Sequence, residues 1–131
     1  MNIPQNLVCK EEYVVTEDLV TKHIEGIEVL STPSLVLLIE RTAKNCIQPY
    51  LPNGYSSVGT QINIKHLNPV PRGERILVET VVSEIDGRRV VFTARSYWKQ
   101  IVVGEAIHER YVINIDKFRE KVKKLISENQ Y

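Results

Sequence analysis

Residues 32–48, TPSLVLLIERTAKNCIQ, decide the fold. Threonine is a favoured N-cap and proline a favoured first helical residue, so the pair Thr32-Pro33 reads as a helix start. The spacing predicts a helix from Pro33 to about Gln48, ending near Pro49. Leu35, Leu38, Ile39, Thr42, Ala43 and Cys46 recur at helical spacing, and Val36, Leu37 and Ile47 widen the stripe beyond that of a surface helix. Such a helix is expected to be covered on most sides, with Arg41, Lys44 and Asn45 as its wet edge. Glu40, at the border between stripe and edge, is the only acidic residue in the segment. An ionised carboxylate leaves water at high cost unless it is paired or becomes protonated. Its plain reading is an ion pair with Arg41 or with Lys44, four residues on. Its other reading is chemistry.

Downstream of the helix, Leu51–Tyr55 is a turn with Pro52, Asn53 and Gly54. From Ser56 the period changes to two. Val58, Thr60, Ile62, Ile64 and His66 share one face, and Ser57, Gly59, Gln61, Asn63 and Lys65 the other. His66 therefore closes the apolar face of this strand. A loop with two prolines and a glycine spans Asn68–Gly73. A hairpin follows, with Glu74–Ile85 and Arg88–Trp98 joined at Asp86-Gly87, a strong hairpin signal. Lys99-Gln100 turns the chain into Ile101–Ile115, where His108 and Arg110 fall on one face. Asp116 opens a C-terminal helix with Phe118, Val122, Leu125 and Ile126 as its stripe. Upstream, Asn6–Val15 reads as a strand, Thr16-Glu17-Asp18 as the start of a short helical turn to about Ile24, Gly26 as a break, and Ile27–Leu30 as an extended lead-in.

One long apolar helix followed by four long antiparallel strands has a simple solution. The sheet must bury one face, and only the Pro33 helix is apolar enough to fill it. The expected fold class is α+β, an antiparallel sheet wrapped around a long central helix, which is the hotdog architecture. The 131 residues are expected to form a single domain. Apolar content of 43% and charged content of 25% are those of an ordinary globular protein. A net charge of +1 makes no electrostatic case for nucleic acid or an anionic membrane. The N-terminal residues show no signal-peptide pattern, and no run is long enough for a membrane helix. The expected location is cytoplasmic, with Cys9 and Cys46 as reduced, packed thiols. His23, His66 and His108 are far apart in sequence, and no Cys/His spacing suggests a metal.

With the sheet wrapped on the helix, Glu40 and His66 could approach each other, as a general acid/base pair or as a nucleophile and its activator. The segments STPSLVLLIE (31–40), GYSSVGTQINIKHLNPVPRGE (54–74), VSEIDGRRVVF (82–92) and VVGEAIHERYVI (102–113) resemble the fluoroacetyl-CoA thioesterase-like branch of the hotdog acyl-CoA thioesterases. The resemblance runs from about Ile27 to Phe118. It implies a catalytic set of Thr32, Glu40 and His66, with Gly59 and Arg110 contacting substrate. It further implies hydrolysis of an acyl-CoA, no metal or other cofactor, and a homodimer with sites at the subunit interface. Where that family's fluoroacetate-specific enzyme has two phenylalanines over the acyl pocket, this chain offers His23 and Gly26. The resemblance therefore carries the hydrolase chemistry and not the fluorinated substrate. Two other functions fit the same fold: a hydroxyacyl-thioester dehydratase or hydratase, and a non-catalytic acyl-CoA-binding module. A further expectation is geometric. Eight helical residues rise about 12 Å, so Thr32 and Glu40 of one regular helix cannot hydrogen-bond each other. Either the helix begins later or the site joins two subunits.

Overall fold

The structure, a computed structural model, describes residues 1–130. Strand β1 (Val8–Val14) leads through a single 3-10 turn (Glu17–Leu19) into the hairpin of β2 (Val20–Ile24) and β3 (Ile27–Leu30). Helix α1 (Thr32–Ile47) follows, then β4 (Tyr55–His66), β5 (Arg75–Asp86), β6 (Arg89–Trp98), β7 (Ile101–Asn114) and helix α2 (Ile115–Glu128). Five strands form one antiparallel sheet in the order β1-β5-β6-β7-β4, and β2 and β3 pair separately. The N-terminal strand thus adds a fifth member to the four expected. The expected helical turn to Ile24 stops at Leu19, and β-branched Val20 and Thr21 continue as strand. The hairpin loop is Gly87-Arg88, one residue later than expected, because Gly87 takes the positive φ (+60°) that the first turn position needs.

The sheet wraps α1 as expected. Leu35, Leu38, Ile39, Thr42, Ala43, Cys46 and Ile47 are buried. Full burial of a Leu or Ile side chain contributes roughly 1.5–3 kcal/mol. Val36 is only half-buried and Leu37 exposed, so coverage is less complete than the sequence pattern suggests. The N-terminal half of α1 packs with Val70, Ile76, Val78, Ala94, Val103 and Ala106. The C-terminal half packs with Val82, Val90, Phe92 and Val112. Glu40 lies where one cluster gives way to the other.

Two further readings are corrected. The N-cap of α1 is Ser31, whose Oγ accepts from the Ser34 amide at 3.1 Å, so Thr32 is the first helical residue and its hydroxyl is not used as a cap. Cys9 and Cys46 are not free thiols but a disulfide joining β1 to α1 across 37 residues. In the chain-entropy account such a link stabilises by about 4 kcal/mol. The expected stripe of α2 is present and exposed, at Phe118, Val122, Leu125 and Ile126. No helix among the described residues is long and apolar enough to cross a membrane.

Candidate active site

The site depends on a break in β4. Its pairing with β7 is regular from Tyr55 to Gly59 and again from Gln61 to His66, with a register shift between Gly59 and Gln61. The extra residue, Thr60, makes a β-bulge and reverses which side chains face the helix. Ser57 and Gly59 face α1 before the bulge, and Ile62, Ile64 and His66 pack inward after it. The single apolar face expected from Val58 to His66 is therefore two half-faces. Glycine inside a strand was the only signal of the break.

Around Glu40 the inward face of β7 is polar. Arg110 is 5% exposed and His108 1% exposed. A buried guanidinium needs partners, and Arg110 has them. Its Nε donates to Ser57 Oγ at 2.8 Å and its Nη2 to the Ser57 carbonyl at 2.9 Å. Its Nη1 lies 3.2 Å from His108 Nε2 and 3.8 Å from Glu40 Oε2. The Glu40 contact is an ion pair and too long for a direct hydrogen bond. Burial holds the Arg110 pKa below its ordinary value, and Glu40 opposes that shift. Neither ion pair of the plain reading of Glu40, with Arg41 or with Lys44, forms among the described residues; Glu40 meets Arg110 instead. Gly59 completes the cluster. A Cβ there would fall 2.7 Å from Glu40 Oε2 and 3.3 Å from Arg110 Nη1. Only glycine lets the carboxylate lie this close to the strand.

Thr32 and His66 form a second cluster. Thr32 Oγ1 lies 2.8 Å from His66 Nδ1. His66 Nε2 is buried without a hydrogen-bond partner among the described residues. Burial lowers the His66 pKa, and the main chain of Asn68 works in the opposite direction. Thr32 and Glu40 both lie on the regular helix α1, so about 12 Å of helix rise separates them. The structure thus joins Thr32 to His66, and Glu40 to Gly59 and Arg110, but does not join the two clusters within one chain. Sequence reasoning missed Ser57 and the contact of His108 with Arg110. No cluster of His, Cys, Asp or Glu suited to a metal occurs among the described residues.

A fluoroacetyl-CoA thioesterase of known structure matches over 95% of this chain and 98% of its own, with a TM-score of 0.88 and 26% identity. A thioesterase superfamily member from Thermus thermophilus shares the fold at a TM-score of 0.89 and 22% identity, over 97% of this chain and 96% of its own. The protein is a hotdog-fold thioester hydrolase. The fluoroacetyl-CoA thioesterase of Streptantibioticus cattleyicolor is 32% identical over 96 residues, 73% of this chain and 69% of that protein. The chain belongs to the fluoroacetyl-CoA-specific thioesterase family, whose model matches residues 14–116. Its reaction is hydrolysis of an acyl-CoA thioester.

Proposed function

We propose that the active unit is a homodimer in which Thr32 and His66 of one protomer face Glu40, Gly59 and Arg110 of its partner. The observation that carries this reading is the division of the site residues into two clusters along the same helix and strand. Strand β4 is an edge of the sheet, with Gly59 beside Glu40 close to its middle and His66 beside Thr32 at its C-terminal end. A second copy laid antiparallel against that edge, with the two-fold axis midway between Gly59 and His66, sets Gly59 of one strand near His66 of the other. Two-fold symmetry then makes two equivalent sites from one contact.

In such a site Glu40 acts on the thioester carbonyl, by direct attack or through a water it deprotonates. His66 transfers protons, including the one that the departing CoA thiolate takes up as the C–S bond breaks. Thr32 holds the His66 ring and positions substrate or water. The Gly59 notch admits the thioester close to the backbone, where a main-chain N–H can stabilise the developing oxyanion. Arg110 orients Glu40. No metal or further cofactor has a role. The hairpin of β2 and β3, which precedes Thr32, carries exposed Ile24 and Ile27 and no phenylalanine. This supports an acyl group other than fluoroacetyl.

A mixing experiment tests the composite site. Glu40→Gln and His66→Ala protomers, each inactive alone, are refolded together. Random pairing restores about a quarter of the native thiol release, because half of the dimers carry one intact site of two. A mixture as inactive as its components would show that the site lies within one chain.

Gly59→Ala tests the notch. The new methyl group meets side chains rather than backbone: the half-exposed end of Glu40 at 2.7 Å, and His108 and Arg110 at 3.2 and 3.3 Å, which need give only a few tenths of an ångström, so the fold is expected to hold. The carboxylate must move aside, and kcat should fall by about 10²-fold, as for a misplacement of roughly 1 Å. Native kcat in a folded Gly59→Ala protein would remove the notch from the reaction.

A further inference from the structure

On the inward face of β7, between Ala106 and Val112, the two polar residues are His108 and Arg110. The His108 ring is buried, so proton exchange with a substrate is closed to it. Its Nδ1 lies 2.8 Å from the Gln61 carbonyl, which can only accept, so Nδ1 carries the proton. Nε2 then presents a lone pair 3.2 Å from Arg110 Nη1, which can only donate. The two contacts select one neutral tautomer. Packing holds the ring as well: Phe92 stacks on it with centroids 6.1 Å apart, and on the Gly59 side there is no spare room, since an added Cβ would lie 3.2 Å from Cε1. Burial and the neighbouring Arg110 cation lower the His108 pKa, while the Gln61 carbonyl, Glu40 and Glu109 oppose the shift.

Nη1 of Arg110 faces both His108 and Glu40. If the imidazole acceptor were removed, Glu40 would be the strongest acceptor in reach of Nη1. A guanidinium free to close on a carboxylate forms short, charge-assisted hydrogen bonds, which tie up the oxygen lone pairs. We propose that His108 is a positioning residue that holds Arg110 at ion-pair distance from Glu40, so that the carboxylate is oriented but remains free to react. The inference rests on the catalytic reading of Glu40 given above.

Two substitutions separate this role from simple packing. Glutamine carries its terminal oxygen out to the place of Nε2, whereas asparagine reaches only to that of Nδ1. His108→Gln should keep kcat within about 3-fold of native, and His108→Asn should lose about 10-fold or more in kcat with KM nearly unchanged. On an Arg110→Met background neither should cause further loss, since residues that act as a unit are not additive. Equal losses in the Gln and Asn variants, the reverse order, or additive losses on Arg110→Met would overturn the role of His108. Thiol release by Glu40→Gln is measured alongside. If that variant is as active as native, the catalytic reading of Glu40 fails and this inference fails with it. If it is inactive while His108→Asn is native-like, only the positioning role fails. Should His108→Asn not fold, the ratio of His108→Gln to native, with and without Arg110→Met, decides the same question.

Discussion

Glu40→Gln is expected to lower kcat for acyl-CoA hydrolysis by at least about 10²-fold while the protein stays folded, the usual scale for loss of an acid/base group. Glutamine matches the size of glutamate and removes its charge and basicity. Structural damage should be small for two reasons. The Glu40 side chain is 40% exposed, and its pair with Arg110 at 3.8 Å is not a direct hydrogen bond. The Arg110 guanidinium keeps its contacts with both Ser57 oxygens and with His108. A thiol-release assay beside a thermal melt separates the two effects. Native turnover by the folded variant would end the assignment of Glu40. Single turnover in ¹⁸O-labelled water is informative: label in the Glu40 carboxylate establishes direct attack, with the anhydride opened at the glutamyl carbonyl, whereas the water route places label only in the product acid.

His66→Ala is expected to cost a similar factor, at least about 10²-fold in kcat. The ring is tied to Thr32 through Nδ1, and its Nε2 is buried without a partner among the described residues. Burial lowers its pKa below the ordinary histidine value, so the ring is neutral at pH 7 and able to take a proton. Native activity should stay level through neutral pH and fall only once the pH drops below the ordinary histidine range. Stability follows the same sign. The unfolded chain binds the proton near pH 6.5, and the folded chain only at lower pH. The stability contributed by neutral His66 is therefore complete above about pH 6.5 and erodes as the pH falls below it. His66→Ala should lose part of that acid sensitivity, which melts measured from about pH 7.5 down to about pH 5 would detect. A folded His66→Ala protein with native kcat would remove His66 from the reaction.

The legible part of this protein was its periodic part. The stripe of α1 is long and apolar enough that only a helix could bury it. Strands of period two, separated by Gly, Asp and Pro, had to wrap that helix, since no other element was apolar enough to fill the sheet's inner face. The same reasoning singled out Glu40, because a carboxylate on a helix bound for the interior is costly without a purpose or a partner. The inaccurate parts were local. Ser31 and Thr32 are both good caps, and the choice between them depended on where the backbone turns helical: Ser31 is still extended and Thr32 already in the helix. Thr32 reaches His66, and Ser31 takes the cap. The pairing of Cys9 with Cys46 required knowing that β1 passes α1 at that point.

Residue pattern alone settled the helix, the strands, the wrapped architecture and the identity of the unusual carboxylate. These follow from local spacing and from the need to bury apolar area, both of which are written along one chain. The partners of Glu40 were decided in three dimensions. One bulged residue, Thr60, turned Gly59 and His66 to the same side of the sheet, although strict alternation places them on opposite sides. Arg110 then met Glu40, while His66 met Thr32 about 12 Å of helix away. A bulge carries no period and leaves only a strand glycine as its sign, and an ion pair between residues so far apart along the chain depends on register, so neither follows from local spacing.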